Sequence, residues 1–434
     1  MTNQNHNSHD DEDNQQPKLM KSFVGRTISV FGLVERIVKE FELEHGEGQS
    51  DAIKSAMTDV ERRQMLLDVA EYIFGVESLR LNPQEQAQVI GLAHGELFGY
   101  GPLDIFFEDE RVTTISLEGA SKISVRYGAG KDFTTHEPIF EDTPHMRRII
   151  QRILRHSGAE LRDDVPIIET GLTINTRRVS ISVVAPPFAP EMAVDIRVHP
   201  TELPTANDWI EANILNEKTY GLLKAIMQSH HGLVIVGDTE SGKTTLTSIL
   251  LQEIDGKDLI SVERASELVL PEGATWLATQ WAINNDKSKT FGEQIQVAIE
   301  SNPKTLVIDE IRNDEPEAIA PLLTADNAPR QIWSFRGASE AKRIASSFGI
   351  LARMADSSQP EDMVSQLQKR LPFVVIIKRR KGTLEVREIA EWQFSDDADY
   401  ANFVSLMRVA WEGCAPTGKL PQHELDLPDN FWET

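Results

Sequence analysis

The sequence predicts an α/β protein: a parallel sheet covered by helices on both faces, preceded by a smaller α+β domain and a helical segment. Three observations predict it. From residue 233 onward short, wholly apolar runs alternate with helical stretches, the pattern of strands buried on both faces. Between 112 and 198 the runs are short and strand-like, with one helix among them. From about 20 to 97 apolar residues recur at helical spacing.

Residues 1–18 are Asn, Gln, His and Asp with almost nothing to bury, and a disordered acidic tail is expected. His6 and His9 there read as solvated side chains rather than metal ligands. In the helical region, 19–97, Val30, Val34, Ile37 and Phe41 form one stripe; Leu66, Val69 and Ile73 form another, ahead of an expected stop at Gly75. Asn82-Pro83-Gln84-Glu85 combines an N-cap, a proline at the first helical position and a capping-box glutamate. Such stripes suit packing within a small bundle, or a partner helix.

The stiff turn Gly99-Tyr100-Gly101-Pro102-Leu103 opens the α+β domain, 98–202. Strands are expected at Val112–Leu117, Ile123–Tyr127, Val179–Val184 and Ala193–Val198. Between them Thr143-Pro144 opens a helix carrying Met146, Ile149, Ile150, Ile153 and Leu154, closed by Gly158. Pro200 and Pro204 bound a linker. The sheet domain, 203–396, should contain strands at Leu233–Val236, Leu259–Val262, Thr305–Ile308, Gln331–Phe335 and Phe373–Ile377. Helices are expected at 242–254, at 291–300 (Thr290 and Glu293 making its capping box) and at 314–324, with a hairpin turn at Lys381-Gly382. The C-terminal extension, 397–434, with Trp411 and Trp432, reads either as a helix packed on the sheet domain or as a docking segment.

Composition narrows the function. A chain of 434 residues suggests two to four domains. Lys plus Arg total 44 against 68 Asp plus Glu, a net charge of −24. A surface that acidic repels phosphate backbones and argues against a nucleic-acid-coating protein, although it leaves room for a local basic channel. The single cysteine, Cys414, makes no internal disulfide and no thiolate cluster, so a reducing cytosol is expected. No apolar run approaches the roughly 18 residues of a membrane-spanning helix. The first residues lack the basic and apolar regions of a signal peptide.

The chemistry concentrates in Gly232-Leu-Val-Ile-Val-Gly237-Asp238-Thr239-Glu240-Ser241-Gly242-Lys243-Thr244-Thr245, which matches G-x-x-x-x-G-K-[ST] between a buried strand and a helix. Glycines at 237 and 242 let backbone N–H groups turn inward around a β-phosphate, and the following helix aims its positive end at the same anion. Lys243 would bridge β- and γ-oxygens and Thr244 would ligate Mg²⁺. The expected ligand is a nucleoside triphosphate, ATP with Mg²⁺, bound by residues 237–245.

Hydrolysis also needs a carboxylate that orients water. Thr305-Leu-Val-Ile-Asp309-Glu310 is an apolar strand ending in two acids, either a Walker B strand beside the phosphate loop or the start of a surface loop. In the first case Asp309 would hold the Mg²⁺ shell and Glu310 would polarise the water. The strand Leu259–Val262 ends at Glu263, at the same carboxyl edge. His230-His231 invites a metal reading, but adjacent residues point apart and a helix C-terminus favours imidazolium; no metal beyond Mg²⁺ is expected.

Together these residues resemble the secretion-ATPase superfamily, the P-loop motors of type II and type IV secretion and of type IV pili (the GspE/PulE type). Within it the chain is most similar to the tight-adherence (Flp) pilus assembly ATPases, the CpaF/TadA group. The resemblance runs from about 95 to 395. Besides the phosphate loop it rests on Gly99-Tyr-Gly-Pro-Leu103, on Asn175-Thr-Arg-Arg178 through Pro187 with Ile196-Arg197, on Ser261-Val-Glu263-Arg-Ala-Ser-Glu267-Leu268, on Asn302-Pro303 through Asp309-Glu310-Ile311-Arg312, and on Glu388-Ile-Ala-Glu391. It implies a RecA-like core, a PAS-like α+β N-terminal domain and a hexameric ring with nucleotide between the two domains. Lys243, Glu263 and Glu310 would be catalytic, and Arg178 and Arg197 would reach the phosphates as the cleft closes; the alternative for each arginine is a place on the surface of a half-buried strand. It also implies a cytoplasmic protein peripheral to the inner membrane, with platform proteins of a pilus or secretion apparatus as partners and no nucleic acid.

Departures from the family pattern temper this. Arg264 replaces the aspartate of the acidic box, and Gln280, Gln296 and Ser301 stand where arginines are usual. Asp309 stands where glycine is usual, and the segment Trp333–Gly337, which should hold a histidine box, has no histidine. Each lost arginine removes about 1–3 kcal/mol of charge-assisted contact. The leading reading is therefore an ATP-hydrolysing motor, and the alternative a non-hydrolysing ATP-binding scaffold or regulatory subunit. A nucleic-acid motor is a weaker third reading, opposed by the acidic charge and the lack of an aromatic-basic stripe.

Overall fold

The structure is a computed structural model that describes residues 19–21, 27–46, 58–128, 130, 132–281, 288–312, 316–336, 341–355, 358, 360–380, 383–395, 401–410 and 413–432. His6, His9, the turn residues Lys381 and Gly382, Gly337 and Trp411 lie outside the described residues. The chain forms two compact units, Met1–Glu108 with Ile139–Ile150, and Asp109–Pro138 with Gln151–Thr434.

In the first unit a short antiparallel pair, β1 (Leu19–Lys21) and β2 (Thr27–Ser29), precedes helices α1 (Val30–His45), α2 (Asp59–Val76) and α3 (Pro83–Phe98). Each helix begins on a side-chain cap. Ser29 Oγ accepts from Gly32 N at 3.0 Å, and Thr58 with Glu61 and Asn82 with Glu85 complete capping boxes. Leu33, Ile37, Phe41, Leu66, Val69 and Val89 close one core, so the two apolar stripes face each other within a bundle. Gly75 does not end α2, which runs on to Val76: a helical glycine costs about 1 kcal/mol but blocks no hydrogen bond. After α3 comes the turn Gly101–Leu103, then α4 (Asp104–Glu108). Gly101 has φ +59°, and a Cβ there would lie 2.6 Å from Glu96 Oε1. Glu96 is buried, accepting from His145 Nε2 at 2.8 Å and Arg148 Nη2 at 3.2 Å. Those two residues sit on α5 (Thr143–His156), which runs from the first unit into the second.

The second unit holds two sheets. Strands β3 (Val112–Glu118), β4 (Lys122–Tyr127), β5 (Thr134–His136), β6 (Ile167–Ile174), β7 (Arg177–Val184) and β8 (Ala193–Val198) form an antiparallel sheet in the order β5-β4-β3-β8-β7-β6. Strand β6 escaped the sequence reading because Gly171 and three threonine or glutamate positions interrupt its apolar pattern. Arg177, beside the expected Arg178, is buried and donates to the carbonyls of Asp109, Glu110, Val112 and His199, fastening β7 to the strand entrance.

Helices α6 (Ala206–Glu211) and α7 (Glu217–Gln228) lead into β9 (Leu233–Gly237). There follow α8 (Lys243–Leu251), β10 (Leu259–Glu263), β11 (Thr275–Ala278), α9 (Phe291–Glu300), β12 (Thr305–Ile311), α10 (Pro316–Thr324) and β13 (Arg330–Arg336). Then come α11 (Ala341–Ala355), α12 (Pro360–Arg370), β14 (Phe373–Arg380), β15 (Thr383–Gln393), β16 (Asn402–Ala410) and β17 (Gly413–Pro416). The sheet order is β11-β10-β12-β13-β9-β14-β15-β16-β17. It is parallel from β11 to β14, as expected, and continues from β14 to β17 as an antiparallel part. The parallel part is covered twice. Val234 and Val236 pack under α9 to α12, while Leu233 and Ile235 pack under α7 and α8, following the strand's alternation.

The C-terminal extension is not the packed helix: its described elements are strands. It adds β16 and β17 to the sheet and returns a tail whose Leu425, Leu427, Phe431 and Trp432 pack on the α7–α8 face. Glu391, at the end of the Glu388–Glu391 stretch, is wholly buried. Its carboxylate accepts from the backbone N–H groups of Gln422 (2.7 Å) and His423 (2.8 Å) and from His423 Nδ1 (2.7 Å), tying the tail down. The His423 ring lies 4.5 Å from that of His231, which lies 4.0 Å from His230. The expectation that the adjacent histidines point apart is therefore wrong: they precede β9, where strand alternation does not apply. Nor is His231 an imidazolium, since burial, and then the charges of His423 and His230, push its pKa down to about 4.

Candidate functional site

The carboxyl ends of β9, β10, β12 and β13 converge on one cleft, with β9 central and the chain winding away from it on both sides. Ligands of such sheets sit at this edge. The loop after β9 has the shape its glycines demand. A Cβ at Gly237 would lie 2.3 Å from Ser241 Oγ and 2.5 Å from the Ile377 carbonyl of β14. Gly242 is the left-handed residue, φ +87°, that turns the loop into α8. Asp238 O accepts from Ser241 N at 3.2 Å and from Lys243 Nζ at 3.0 Å. Ser241 Oγ is buried without a partner.

The acids arrive from two neighbouring strands in register, Glu263 on β10 opposite Asp309 on β12. Thr244 Oγ1 donates to Asp309 Oδ2 at 3.4 Å, and Ser334 Oγ of β13 hydrogen-bonds the other carboxylate oxygen. Lys243 Nζ lies 3.2 Å from Glu310 Oε1, and Arg312 Nη2 lies 3.6 Å from its second oxygen. Burial pushes Glu310 up, but Lys243 and Arg312 outweigh it and leave its pKa below the ordinary carboxylate value. Asp309 is buried, and that burial, with the charge of Glu267, raises it to about 7. Glu263 is deeper still: burial and Asp309 raise it to about 8 against hydrogen bonds from Leu268 N (2.8 Å) and Ser261 Oγ (2.9 Å).

The antiparallel sheet forms the opposite wall. Arg178 and Arg197, from β7 and β8, both line the cleft of about 560 Å³ that Lys243, Thr244, Thr245, Asp309 and Glu310 also line. Arg178 Nη1 donates to Leu268 O at 2.9 Å, and Arg197 lies 3.6 Å from Asp195. The two walls touch where a Cβ on Gly171 would come within 1.9 Å of Ala265 O. Beside that contact Arg312 makes a bidentate pair with Glu169, both distances 2.8 Å, and Trp281 Nε1 donates to Glu169 O at 3.0 Å.

Thr239 to Thr245 of the phosphate loop, Asp309, Glu310, Arg178 and Arg197 line this cleft; Gly237 and Asp238 of the expected set do not, and Glu263 lies behind it opposite Asp309. Sequence reasoning missed Arg126, Glu169 and Arg379 on its wall, and gave no role to Glu267 of the acidic box or to Arg336 of the segment without a histidine. Arg126, on β4, has no flanking signal; Arg379 stands in the Lys378-Arg379-Arg380 run at a strand end, which could have drawn attention. Arg312 was in view beside the acids but without a role.

The residues fit an Mg²⁺–triphosphate group on their own terms: a cradle whose glycines admit no Cβ, an orphaned buried hydroxyl at Ser241, and a hydroxyl–carboxylate pair at Thr244 and Asp309 of the hard-oxygen kind Mg²⁺ takes. The family model for type II/IV secretion system proteins matches residues 107–326, just over half of the chain. The chain belongs to the type II/IV secretion system protein family. Among its relatives, an uncharacterised protein of Bacillus anthracis is 22% identical over 354 residues, covering 76% of this chain and 74% of its own length. Conjugal transfer protein TrbB of Rhizobium radiobacter is 24% identical over 255 residues, 57% of this chain and 74% of its own. Among solved structures, the ATPase DotB of Legionella pneumophila is 15% identical with a TM-score of 0.46, covering 69% of this chain and 81% of its own.

Within this family member, the substituted positions have found other work. Arg264, where the acidic box should continue, stacks on Phe291 with its Cζ 4.3 Å from the ring centre. In the segment without a histidine, Trp333 is buried in the sheet core, Ser334 serves Asp309, and Arg336 stands beside Gly237 across the β13–β9 pair and lines the cleft.

Proposed function

We propose that this chain is an ATP-hydrolysing motor of a secretion, pilus or conjugation apparatus, assembled as a hexamer and working at the cytoplasmic face of an inner membrane with platform proteins as partners. The observation that carries the reading is the convergence of Lys243, Thr244, Asp309 and Glu310 on one cleft beneath a glycine cradle. Backbone amides of 237–245 and Lys243 would hold the phosphates, and Thr244 and Asp309 the Mg²⁺. The metal supplies neutralisation of phosphate charge when bound. Glu310 is the group kept ionised beside the phosphate loop, and it is suited to polarise an attacking water; Glu263 sits behind it as a second carboxyl. Arg178 and Arg197 face the loop from the other wall, where charge develops on the departing phosphoryl group. Membership of the family and the likeness to a conjugal transfer protein support the kind of machine. The tight-adherence pilus is one home for it, and a conjugation apparatus another. No helix among the described residues is long and apolar enough to cross a membrane.

A second reading, an ATP-binding subunit that does not hydrolyse, is favoured by one observation: the acidic box offers a single buried carboxyl, Glu263, raised to about 8, followed by Arg264 instead of a second acid. Steady-state ATP hydrolysis by the purified protein decides between them. A motor turns over ATP, loses binding and turnover in Lys243→Ala, and in Glu310→Gln keeps ATP bound while turnover disappears. ATP binding without turnover in the wild type sinks the motor reading and supports the scaffold. Stimulation by single-stranded DNA would instead revive a nucleic-acid motor.

A further inference from the structure

Nucleotide binding alone does not call for the residue at position 240. Glu240 has φ +59°, in the left-handed region where glycine is at ease and a side chain with a Cβ is not. What a glutamate adds there is a carboxylate, and the cleft has built around it. Arg126 grips it with both terminal nitrogens, Nη2 to Oε1 at 3.0 Å and Nη1 to Oε2. That guanidinium is itself buried (9% exposed) and steadied by Thr113 and Thr114, with the Phe133 ring 5.4 Å from its Cζ. Arg379 Nε donates to the Glu240 carbonyl at 3.1 Å. Burial would raise the carboxyl's pKa, but Arg126, Arg197 and Arg379 together hold it below the ordinary value. One anion from the phosphate loop thus sits among three arginines, on the wall of the cleft that holds Lys243 and Glu310. Planar, bidentate guanidinium binding is how proteins hold phosphate oxygens as well as carboxylates.

We propose that Glu240 is an internal stand-in for the terminal phosphate: its carboxylate occupies Arg126 until a nucleoside triphosphate enters, and the terminal phosphate then takes Arg126 from it. The proposal rests on the nucleotide reading above and assigns that site its means of telling triphosphate from diphosphate. A carboxylate offers two oxygens and one charge. A terminal phosphate offers three oxygens and more charge, so it wins the guanidinium. A diphosphate lacks the group that competes, and leaves the pair intact. The opposing possibility is a brace, in which the Glu240–Arg126 pair merely holds the loop in shape and its loss weakens binding of every nucleotide.

The experiment is equilibrium binding of Mg–ATP and Mg–ADP to the full-length protein, comparing wild type, Glu240→Gln, Arg126→Ala and the double variant, with Lys243→Ala as the site control. Glutamine keeps the volume, removes the charge and turns one acceptor oxygen into an N–H donor that the guanidinium cannot use, so both changes release Arg126. The expected result is ATP binding on the order of ten-fold tighter in Glu240→Gln, about the worth of one charge-assisted contact, with ADP binding almost unchanged. In the Arg126→Ala background that gain should vanish. ATP binding that is unchanged or weaker in Glu240→Gln overturns the proposal, as does an equal gain for ADP or a gain that survives without Arg126. If Glu240→Gln does not fold, Glu240→Gly, which the left-handed backbone favours, carries the same expectation. A wild type that binds ATP no better than Lys243→Ala is a different failure, that of the nucleotide reading itself.

Discussion

The contact between Gly171 and Ala265 gives the most exacting test of the closed cleft. A Cβ at residue 171 would lie 1.9 Å from Ala265 O, whereas ordinary contact begins at 3.4 Å. Gly171→Ala must therefore part β6 from the acidic-box loop by about 1.5 Å, because the opposing atom is backbone and cannot swing aside. Two residues along the same strand, Glu169 holds Arg312 at 2.8 Å. A displacement of that size carries the pair to about 4.3 Å, beyond hydrogen-bonding reach. Arg312 then loses its anchor beside Glu310, a charge-assisted interaction worth about 1–3 kcal/mol. If that anchor is needed in the transition state, turnover falls roughly 5- to 160-fold, while ATP affinity, which the phosphate loop dominates, changes little. The assays are steady-state hydrolysis and equilibrium ATP binding, with a thermal melt to verify the fold. Glu169→Gln should move turnover in the same direction. Wild-type turnover in a folded Gly171→Ala protein would refute the reasoning, since the approach of the two walls would then be dispensable.

Three further outcomes follow from other parts of the molecule. Glu96 is buried against His145 and Arg148, which together outweigh its burial and depress its pKa below 4.5, so its contribution is present above that pH and lost as pH falls through the depressed value. Glu96→Gln should cost about 1–3 kcal/mol at pH 7 in urea unfolding, and the gap to wild type should close on the acid side of that value. Glu391→Gln replaces an acceptor surrounded by donors with a group that presents its own N–H; a loss of about 1–3 kcal/mol and earlier proteolytic cleavage within 417–432 are expected. Cys414 is buried, and that burial, partly opposed by a hydrogen bond from Thr219, pushes its thiol up to about 12. An aromatic disulfide reagent at pH 8 should leave it unmodified in the native protein and label it fully in denaturant.

Much of this architecture was legible because its signals are local. The strand before the phosphate loop, its glycines and the caps at Asn82 and Thr290 each declare themselves within a few residues, and the structure places them where they were expected. Strands β6 and β11 and helices α6, α11 and α12 were not drawn, and of the sheet's antiparallel part only its first hairpin was foreseen. Their cause is tertiary: β15 turns back because it pairs with β14 through a tight hairpin, and β16 becomes a strand because Trp392 and Phe403 meet across the pair. In the cleft the loop and the acids were visible as motifs. Arg126 and Arg379 were not, because an arginine on a strand looks the same whether its tip meets water or a phosphate loop 114 or 139 residues away. The misjudged histidines teach the same point from the other side: neighbours in sequence need not diverge where the backbone is neither strand nor helix.

The cleft and the rest of the molecule carry opposite electrical characters. Eight arginines and Lys243 line it beside seven acids, a small positive balance, while the whole chain bears a net charge of −24. A nucleotide approaching from solution first meets repulsion from the whole surface, and only within the last Debye length, about 8 Å at physiological ionic strength, does the local positive wall prevail. Added salt erases the long-range term before the short-range one. For the nucleotide site proposed here, moderate ionic strength should therefore quicken capture, a salt response opposite in sense to that of an enzyme that steers anions from afar.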